Sequence, residues 1–185
     1  MEKLILGFVG DLAAGKGTVC KYLSEKYNTP SYRFSTMLRD ILKRIYVPNS
    51  RENLQQLSTI LREEFGQDLM SKVIAGDVTN DEHELVAVEG IRRPTDITYL
   101  AELPNFHLIY ITADPKIRWK RLVDRRENPG DENKTYEQFL NDEQAEADRL
   151  IKELGAKAEF TINNDGDFDA LYAQLEDIIT RVRRP

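Results

Sequence analysis

The sequence predicts an α/β fold, in which a mostly parallel five-stranded sheet is flanked by helices. Three observations support this prediction. Short apolar runs of strand length alternate along the chain with longer segments of helical periodicity. A glycine-rich loop lies between the first apolar run and the first amphipathic segment, the order of a strand–loop–helix unit. The length of 185 residues suffices for one domain with a substantial core.

The strands are predicted from apolar runs that are bounded by polar or turn-forming residues. The clearest run is FHLIYIT at residues 106–112. Four further strands are predicted at residues 4–9, 31–34, 85–88 and 159–162. Because helical segments rather than tight turns separate these runs, we expect the strands to be mostly parallel.

The helices are predicted from apolar spacing and from residues that start or stop a helix. Four side chains are expected to cap helix N-termini: Ser35, Ser50, Asp114 and Thr135. Thr135 forms a capping box with Gln138 in this prediction. The predicted helices cover residues 19–27, 36–46, 51–65, 68–78, 94–103, 115–126, 135–154 and 168–182.

The loop GDLAAGKGT has the composition of a phosphate-binding loop. The first amides of a helix have no intrahelical partner and the helix dipole makes that end positive, so an anion binds there. Glycines let the backbone approach phosphate oxygens closely, and Lys16 adds a mobile positive charge. The residues expected to bind the phosphates of the nucleotide are Gly10, Ala13, Ala14, Gly15, Lys16, Gly17, Thr18 and Val19.

The same loop bears on magnesium binding. Gly17 follows the lysine where the usual pattern has Ser or Thr, so we expect the ion to be held largely through water. Thr18 and Glu89 are the candidate residues for that hydrated ion. Asp11 would place a negative charge near the anion, and we expect its side chain to point away.

The glycine-lysine-glycine-threonine run at residues 15–18 resembles the loop of nucleoside monophosphate kinases, the adenylate kinase-like branch of P-loop proteins. Ala13 stands where adenylate kinases commonly have glycine, so the resemblance is to the branch. It implies a three-layer P-loop NTPase fold that uses ATP and Mg²⁺. It also implies a single kinase domain, whose parts would be a core (1–34, 84–115 and 155–185), an acceptor-binding helical region (35–80) and a lid (about 116–135).

A second polar group, Glu89-Gly90-Ile91-Arg92-Arg93, directly follows a predicted buried strand. Ligands of parallel sheets collect beyond the carboxyl ends of the strands, the edge where the glycine loop lies. A carboxylate there can orient magnesium-bound water, and an arginine can grip phosphate. The segment resembles the Asp-Gly-x-x-Arg segment of the same kinases, with Glu for Asp. Arg92 and Arg93 are both candidate catalytic residues.

Arg39 lies about one helical turn after the predicted second strand. It resembles the arginine that holds the acceptor phosphate in nucleoside monophosphate kinases, which follows a Ser-Thr-Gly-Asp-x-Leu-Arg segment. The Gly-Asp pair is missing here. The resemblance implies that Arg39 and Ser35 bind the acceptor together with Glu89 and Gly90, and Arg33 is a further candidate.

Cationic side chains accumulate in the segment after the fourth strand: Lys116, Arg118, Lys120, Arg121, Arg125 and Arg126. Three of these arginines are spaced by three and four positions and are expected on one helix face. The next segment, ENPGDENK, is polar. A helix of this kind leading into such a segment looks like the lid of this kinase group, which implies that Arg121 and Arg125 are catalytic. A solvated charged face is the alternative.

The turn Asn163-Asn164-Asp165-Gly166 follows the last predicted strand. It is similar to the Ile-x-Asn-x-Gly pattern of deoxynucleotide monophosphate kinases and dephospho-coenzyme A kinases, where this loop lies near the adenine. Asn164 is therefore a candidate nucleotide-binding residue. An ordinary Asn-rich turn explains the same residues equally well.

Composition restricts the partners. The net charge of −6 disfavours a general nucleic-acid binder, and no apolar run approaches the length of a membrane span. Cys20, the only cysteine, is expected to be a buried thiol in a cytoplasmic protein. His83 and His107 have no metal-ligand spacing. We expect a monomer or simple homodimer that acts on small-molecule nucleotides.

These residues together predict ATP-dependent phosphoryl transfer, with a (deoxy)nucleoside monophosphate as the expected acceptor. Such an acceptor is already ionised, so it needs arginines more than a general base. Dephospho-coenzyme A kinase is the alternative, although its usual Asp-x-Asp pair is replaced by Arg33-Phe34-Ser35-Thr36. Ala13 and Glu89 leave open a catalytically silent ATP-binding regulatory module. A nucleic-acid kinase is disfavoured by the net charge.

Overall fold

Five parallel strands form the centre of the protein, in the order β2-β3-β1-β4-β5. The computed structural model describes residues 3–126, 130–143 and 146–183, with the backbone alone at residues 51 and 146–149. The strands are β1 (Leu4–Gly10), β2 (Ser31–Arg33), β3 (Leu85–Ile91), β4 (Phe106–Thr112) and β5 (Phe160–Asn163). The predicted α/β fold with a five-stranded sheet is confirmed.

Helices cover both faces of the sheet. They are α1 (Lys16–Tyr27), α2 (Phe34–Arg44), α3 (Arg51–Phe65), α4 (Leu69–Asn80), α5 (Pro115–Arg125), α6 (Tyr136–Asp142), α7 (Glu146–Gly155) and α8 (Phe168–Val182). Two short 3-10 helices lie at Pro94–Ile97 and Asp131–Asn133. None of the described helices combines the length and the apolar character needed to cross a bilayer.

The alternation of side chains along each strand divides the apolar core into two halves. On one face, Leu6 and Phe8 of β1 pack with residues of α1 and α8. On the other face, Ile5 and Val9 of the same strand pack with residues of α2, α4 and α7. Because β1 is covered on both sides, all of its residues are buried, which explains its continuous apolar sequence.

The predicted crossover helix at residues 94–103 is wrong. Only Pro94–Ile97 is helical, as a short 3-10 helix, and turns follow it. The amide of Tyr99 donates to the hydroxyl of Ser71 in α4 at 3.0 Å, so a tertiary contact takes the place of a helical one. Leu100 is fully buried beneath these turns. Packing against α4 and the sheet therefore overrides the helical pattern of this segment.

The caps are mostly as predicted. The Ser50 hydroxyl accepts from the Asn53 amide at 3.1 Å, and Thr135 and Gln138 form their capping box. Asp114 caps α5. The prediction that Ser35 caps α2 is wrong, because the helix begins one residue before it, where Phe34 enters the second half of the core.

The single acidic helix predicted at 135–154 is wrong in its middle, since α6 and α7 are separate helices. The two pack on different neighbours: α6 contacts α5, whereas α7 contacts β1 and β4. Residues 144–145 lie outside the described residues, as do residues 127–129 of the predicted lid.

Candidate phosphate-binding site

The loop between β1 and α1 holds its shape through close backbone packing. Gly10 lies so near β4 that an added Cβ would be 2.2 Å from the carbonyl oxygen of Ile111. Gly15 has φ +111° and forms the N-cap of α1 without a side-chain hydrogen bond. A Cβ at Gly17 would have no atom within 4 Å. The start of α1 therefore presents amides without a capping side chain, beside open space at Gly17.

Lys16 closes the loop upon itself. Its Nζ donates to the carbonyl oxygens of Gly10 at 2.7 Å and Asp11 at 2.8 Å. Burial lowers the pKa of Lys16 to about 8, and the positive charge of Arg92 contributes in the same direction. Glu89 acts in the opposite direction, so the charges of Glu89 in β3 and of Arg92 just after it both act on this ammonium group.

Asp11 is held by β4. Its Oδ2 accepts from the Tyr110 hydroxyl at 3.0 Å and from Thr112 Oγ1 at 3.1 Å, and the residue is buried. These two hydrogen bonds satisfy the carboxylate that the sequence places inside the loop. The charge is thus fixed against the sheet, as the expectation for Asp11 required.

Asn164 stabilises the loop from the far side. This side chain is buried, and its Nδ2 donates to the carbonyl oxygen of Ala14 at 2.8 Å. A Cβ at Gly15 would lie 2.3 Å from the same nitrogen, so glycine is required there. The turn after β5 is therefore part of the site's support, while a contact between Asn164 and the nucleotide stays a prediction.

The end of β3 contains a bulge at Gly90. Phe8 of β1 pairs with Glu89 and the next residue, Val9, pairs with Ile91, so Gly90 is the extra residue. It has φ +83°, in the left-handed region that glycine accepts without strain. Because of this extra residue, Ile91 packs in the second half of the core, and not in the first half where regular alternation would direct it.

Glu89 is buried at the edge of the site. Its Oε1 accepts from Arg33 Nε at 2.9 Å, from Arg33 Nη2 at 2.6 Å and from Ser31 Oγ at 3.3 Å. Among the described residues, none donates to its Oε2. The carboxylate is therefore oriented by β2 through one oxygen and keeps the other available.

Arg92 and Arg93 are both exposed, and they differ in their relation to the loop. Arg92 is the member of the pair whose charge acts on Lys16. The backbone amides of both residues donate to Asp96 Oδ2, at 2.9 Å and 3.0 Å. Arg92 is therefore the better placed of the two candidates for contact with a phosphate in the loop.

The candidate acceptor residues on α2 are not brought to the loop by any direct contact. Arg39 is exposed and Ser35 is half-buried. Within the described part of the chain, no hydrogen bond or ion pair joins either side chain to the loop. Their roles stay predictions.

The arginines of α5 differ from the predicted cationic face. Arg118 is buried: its Nε donates to the Ala113 carbonyl oxygen at 2.8 Å, and its guanidinium forms an ion pair with Glu143. Burial alone would lower the pKa of Arg118, but the hydrogen bond to Glu143 and the negative charges of Asp11 and Glu143 together make the net direction upward. The same side chain donates to the carbonyl oxygen of Leu12 at 3.4 Å, so Arg118 supports the loop.

Arg121 and Arg125 have different surroundings. Arg121 is half-buried, and its Nη1 is buried without a hydrogen-bond partner in the described chain. Burial lowers the pKa of Arg121, against the opposing charge of Asp165 in the turn after β5. Arg125 is exposed. Arg121 is thus the α5 arginine with an unused donor near the loop's supporting turn.

Two buried features were missed by the sequence reasoning. Arg62 of α3 and Asp96 form an ion pair with side chains only 8% and 4% exposed. Glu143, the partner of Arg118, was also missed. No sequence signal identifies these pairs, because each joins residues far apart in the chain and each charge resembles its exposed neighbours.

Cys20 and the candidate metal ligands are the remaining side chains considered for a chemical role outside the loop. Cys20 is buried as expected, and burial raises the pKa of its thiol to about 12. In residues 3–126, 130–143 and 146–183, no three His, Cys, Asp or Glu residues are grouped so as to hold a metal ion. An ion at the loop would therefore rely on phosphate oxygens and water for most of its ligands, as Mg²⁺ commonly does.

The fold and the loop together define a P-loop nucleotide-binding protein with a kinase-like fold. Within that class, the chain belongs to the AAA domain family, whose model matches residues 9–139. The match includes the loop, the end of β3 and α5.

The chain is also similar over nearly its whole length to archaeal UPF0200 proteins. The UPF0200 protein of Pyrococcus abyssi is 29% identical over 184 residues, which cover 97% of each chain. The protein of Methanoregula boonei is 28% identical, over 97% of this chain and 98% of its relative. These names describe no activity.

Solved structures show the same fold at low sequence identity. A shikimate kinase from Bacteroides thetaiotaomicron has a TM-score of 0.64 and 15% identity, over 98% of this chain and 99% of that one. TT1252 from Thermus thermophilus has a TM-score of 0.63 and 16% identity over 100% of both chains. The architecture is therefore that of P-loop kinases.

Proposed function

We propose that the protein transfers a phosphoryl group from ATP to a small nucleotide acceptor, in the manner of a (deoxy)nucleoside monophosphate kinase. One observation carries this proposal. Lys16 lies at the start of α1, after β1, whereas Glu89 and Arg92 lie at and directly after the end of β3, the strand paired in parallel with β1. A cation for the donor phosphates, a second exposed cation and a carboxylate thus converge on one edge of the sheet.

The loop suits a nucleotide with Mg²⁺. Gly17 leaves space beside the first amides of α1, and the carbonyl oxygens bound by Lys16 are partners that phosphate oxygens can replace. Thr18 and Glu89 supply hard oxygen atoms for a hydrated ion. When bound, Mg²⁺ neutralises charge on the transferring phosphates.

Each residue then has a defined task. Lys16 neutralises the donor phosphates, and Arg92 stabilises charge on the oxygens of the transferring group. Arg121 and Arg125 of α5 add positive charge from the opposite side, while Arg39 binds the acceptor. Catalysis rests on positioning and electrostatic stabilisation, because phosphoryl transfer leaves little covalent chemistry to the protein.

The surroundings of Glu89 favour a phosphate over a hydroxyl as the attacking group. Oε1 of Glu89 is engaged by Arg33 and Ser31, so the carboxylate is tied to β2. A nucleoside monophosphate brings its own ionised oxygen and needs cations such as Arg33 and Arg92 nearby. The preference for one nucleobase over another depends on the acceptor-binding region of residues 35–80, which we propose to close around the nucleobase.

A hydroxyl acceptor, as in dephospho-coenzyme A kinases, is the second candidate. It is favoured by one observation, the Oε2 atom of Glu89, to which none of the described residues donates. A carboxylate oxygen of this kind can accept the proton of an attacking hydroxyl.

The proposal is tested by measuring ADP release from Mg-ATP with each of the eight common nucleoside monophosphates and with dephospho-coenzyme A. We expect turnover with at least one monophosphate. Turnover of dephospho-coenzyme A alone would replace the first candidate by the second. Binding of Mg-ATP without acceptor-dependent ADP release would contradict both and indicate a regulatory nucleotide-binding module.

A further inference from the structure

A buried ion pair connects helix α3 with the segment that carries Arg92. Arg62 Nη2 donates to Asp96 Oδ1 at 2.8 Å, and the two side chains are 8% and 4% exposed. Arg62 also donates through Nη1 to the carbonyl oxygen of Gln67, in the turn between α3 and α4. The guanidinium is therefore fixed at the carboxyl end of α3 and points to Asp96.

The second oxygen of Asp96 holds the backbone beyond β3. Oδ2 accepts from the amides of Arg92 at 2.9 Å and Arg93 at 3.0 Å, and the Asp96 amide donates back to the Arg93 carbonyl oxygen at 2.9 Å. Three hydrogen bonds thus fix two residues that lie just after the Gly90 bulge. The side chains of Arg92 and Arg93 take no part in them and stay exposed.

We propose that Asp96 is a positioning residue, which fixes the backbone of Arg92 so that its guanidinium points to the phosphates, and that Arg62 anchors Asp96 for this task. The inference rests on the proposed function in one respect, the contact of Arg92 with a phosphate group. An exposed arginine after a strand would otherwise have many backbone conformations available.

The chemistry of the pair supports a positional task. Removing two charges from water is costly, and apolar residues of similar volume often stabilise a core as well or better. Arg62 Nε adds to that cost, because it is buried without a hydrogen-bond partner in the described chain. What an apolar pair cannot supply is an oxygen for the two amides. The carboxylate is therefore explained by the hydrogen bonds it accepts from Arg92 and Arg93.

Two double variants separate these explanations, because both remove the charge pair and only one of them keeps a side-chain acceptor at position 96. Arg62→Met with Asp96→Asn keeps an acceptor for the amides, whereas Arg62→Met with Asp96→Ala does not. Removing both charges together avoids leaving one buried and unpaired. We expect the Asn variant to keep kcat within about threefold of wild type, and the Ala variant to lose roughly tenfold.

The same variants are then combined with Arg92→Ala. If Asp96 acts through Arg92, the Ala double variant should cause no further loss of kcat in that background. The dissociation constant of the Mg²⁺ complex of a non-hydrolysable ATP analogue, which keeps the γ-phosphate that Arg92 is proposed to contact, should follow the same pattern in calorimetry. This binding measurement requires no acceptor. An absence of turnover would therefore contradict the proposed function, while the binding data would still test the inference about Asp96. Equal behaviour of the two double variants, or full additivity with Arg92→Ala, would overturn it.

A measurement on the wild-type chain covers the case in which the Ala variant does not fold. Because Asp96 accepts from both amides before any nucleotide binds, the amides of Arg92 and Arg93 should be protected from hydrogen exchange in the free protein. Exchange of both amides at the rate of an unstructured chain would contradict the proposal.

Discussion

At the end of β3, Arg92 and Arg93 are anchored by their backbone amides, and their side chains stay exposed. On α5, Arg118 is anchored by its guanidinium instead, which is buried against Glu143 and the loop. Both regions carry arginines grouped in sequence and both lie beside the loop. An arginine side chain therefore remains available for a ligand when its backbone amide, and not its guanidinium group, makes the anchoring hydrogen bonds.

The largest effect on stability is expected for Arg118→Met. This change leaves Glu143, 12% exposed, without its ion-pair partner, and should lower the free energy of unfolding by about 3 kcal/mol. Urea denaturation measures the loss. Arg125→Met is the matched control on the same helix, and because Arg125 is exposed it should cost less than about 1 kcal/mol. Equal losses would remove the contrast between the two arginines.

The largest effect on chemistry is expected for Lys16→Met. Removing the ammonium group should lower turnover by roughly a hundredfold or more, about 2.7 kcal/mol of barrier, while circular dichroism stays unchanged. Lys21→Met is the control, since Lys21 lies on the same helix with a side chain 76% exposed. Activity near the wild-type level would exclude Lys16 from the mechanism.

Arg121→Ala tests whether α5 contributes a cation besides its structural arginine. Arg121 Nη1 has no hydrogen-bond partner among the described residues, so its loss should cost turnover, about tenfold, more than stability. Lys120→Ala on the exposed side of α5 serves as the control in the same assay. A lower melting temperature with unaltered specific activity would instead make Arg121 a structural residue.

The smallest effect is a pH dependence of nucleotide binding. The pKa of Lys16 in the free protein is lowered to about 8, so the ammonium group is charged below that pH and neutral above it. Because phosphate binding favours the charged form, the affinity for Mg-ADP should be constant below pH 8 and fall as pH rises beyond it. Calorimetry from pH 7 to 10 measures this. Lys16→Met should abolish the dependence, and an identical profile in that variant would contradict it.

Lys16 also makes the free energy of unfolding depend on pH, and this dependence runs in the opposite direction to that of nucleotide binding. Its pKa is lower in the folded chain than the ordinary value of 10.5, so the unfolded chain binds more protons between about pH 8 and 10.5. The contribution of Lys16 to the free energy of unfolding therefore rises with pH across that window. A difference between wild type and Lys16→Met in urea denaturation, followed over the same range, isolates it.

Much of the fold follows from local patterns in the sequence. The apolar run at Phe106–Thr112 and the helix at Phe168–Val182 agree with the prediction at both ends. Asp114 caps its helix because its carboxylate accepts from the first-turn amides of Lys116 and Ile117. The loop around Lys16 was likewise predictable, since phosphate binding needs glycines, a lysine and a helix start at short spacing.

The rest could not be predicted because it depends on partners distant in the chain. Arg118 has the spacing of an exposed helical arginine, but it is buried by contacts that include Leu12 and Glu143, the latter 25 residues later. The segment after Pro94 has a helical pattern, but its contact with Ser71 holds it in turns. The choice between Arg92 and Arg93 required knowledge of which charge acts on Lys16, and the sequence does not give this.

The extra residue at the Gly90 bulge interrupts the regular alternation of side chains between the two faces of the sheet. Ile91, which follows Gly90, is shifted relative to the alternation set by Leu85 and Ala87, so it faces the second half of the core instead of the first. An arginine at position 91 would consequently bury its charge, because Ile91 is only 1% exposed.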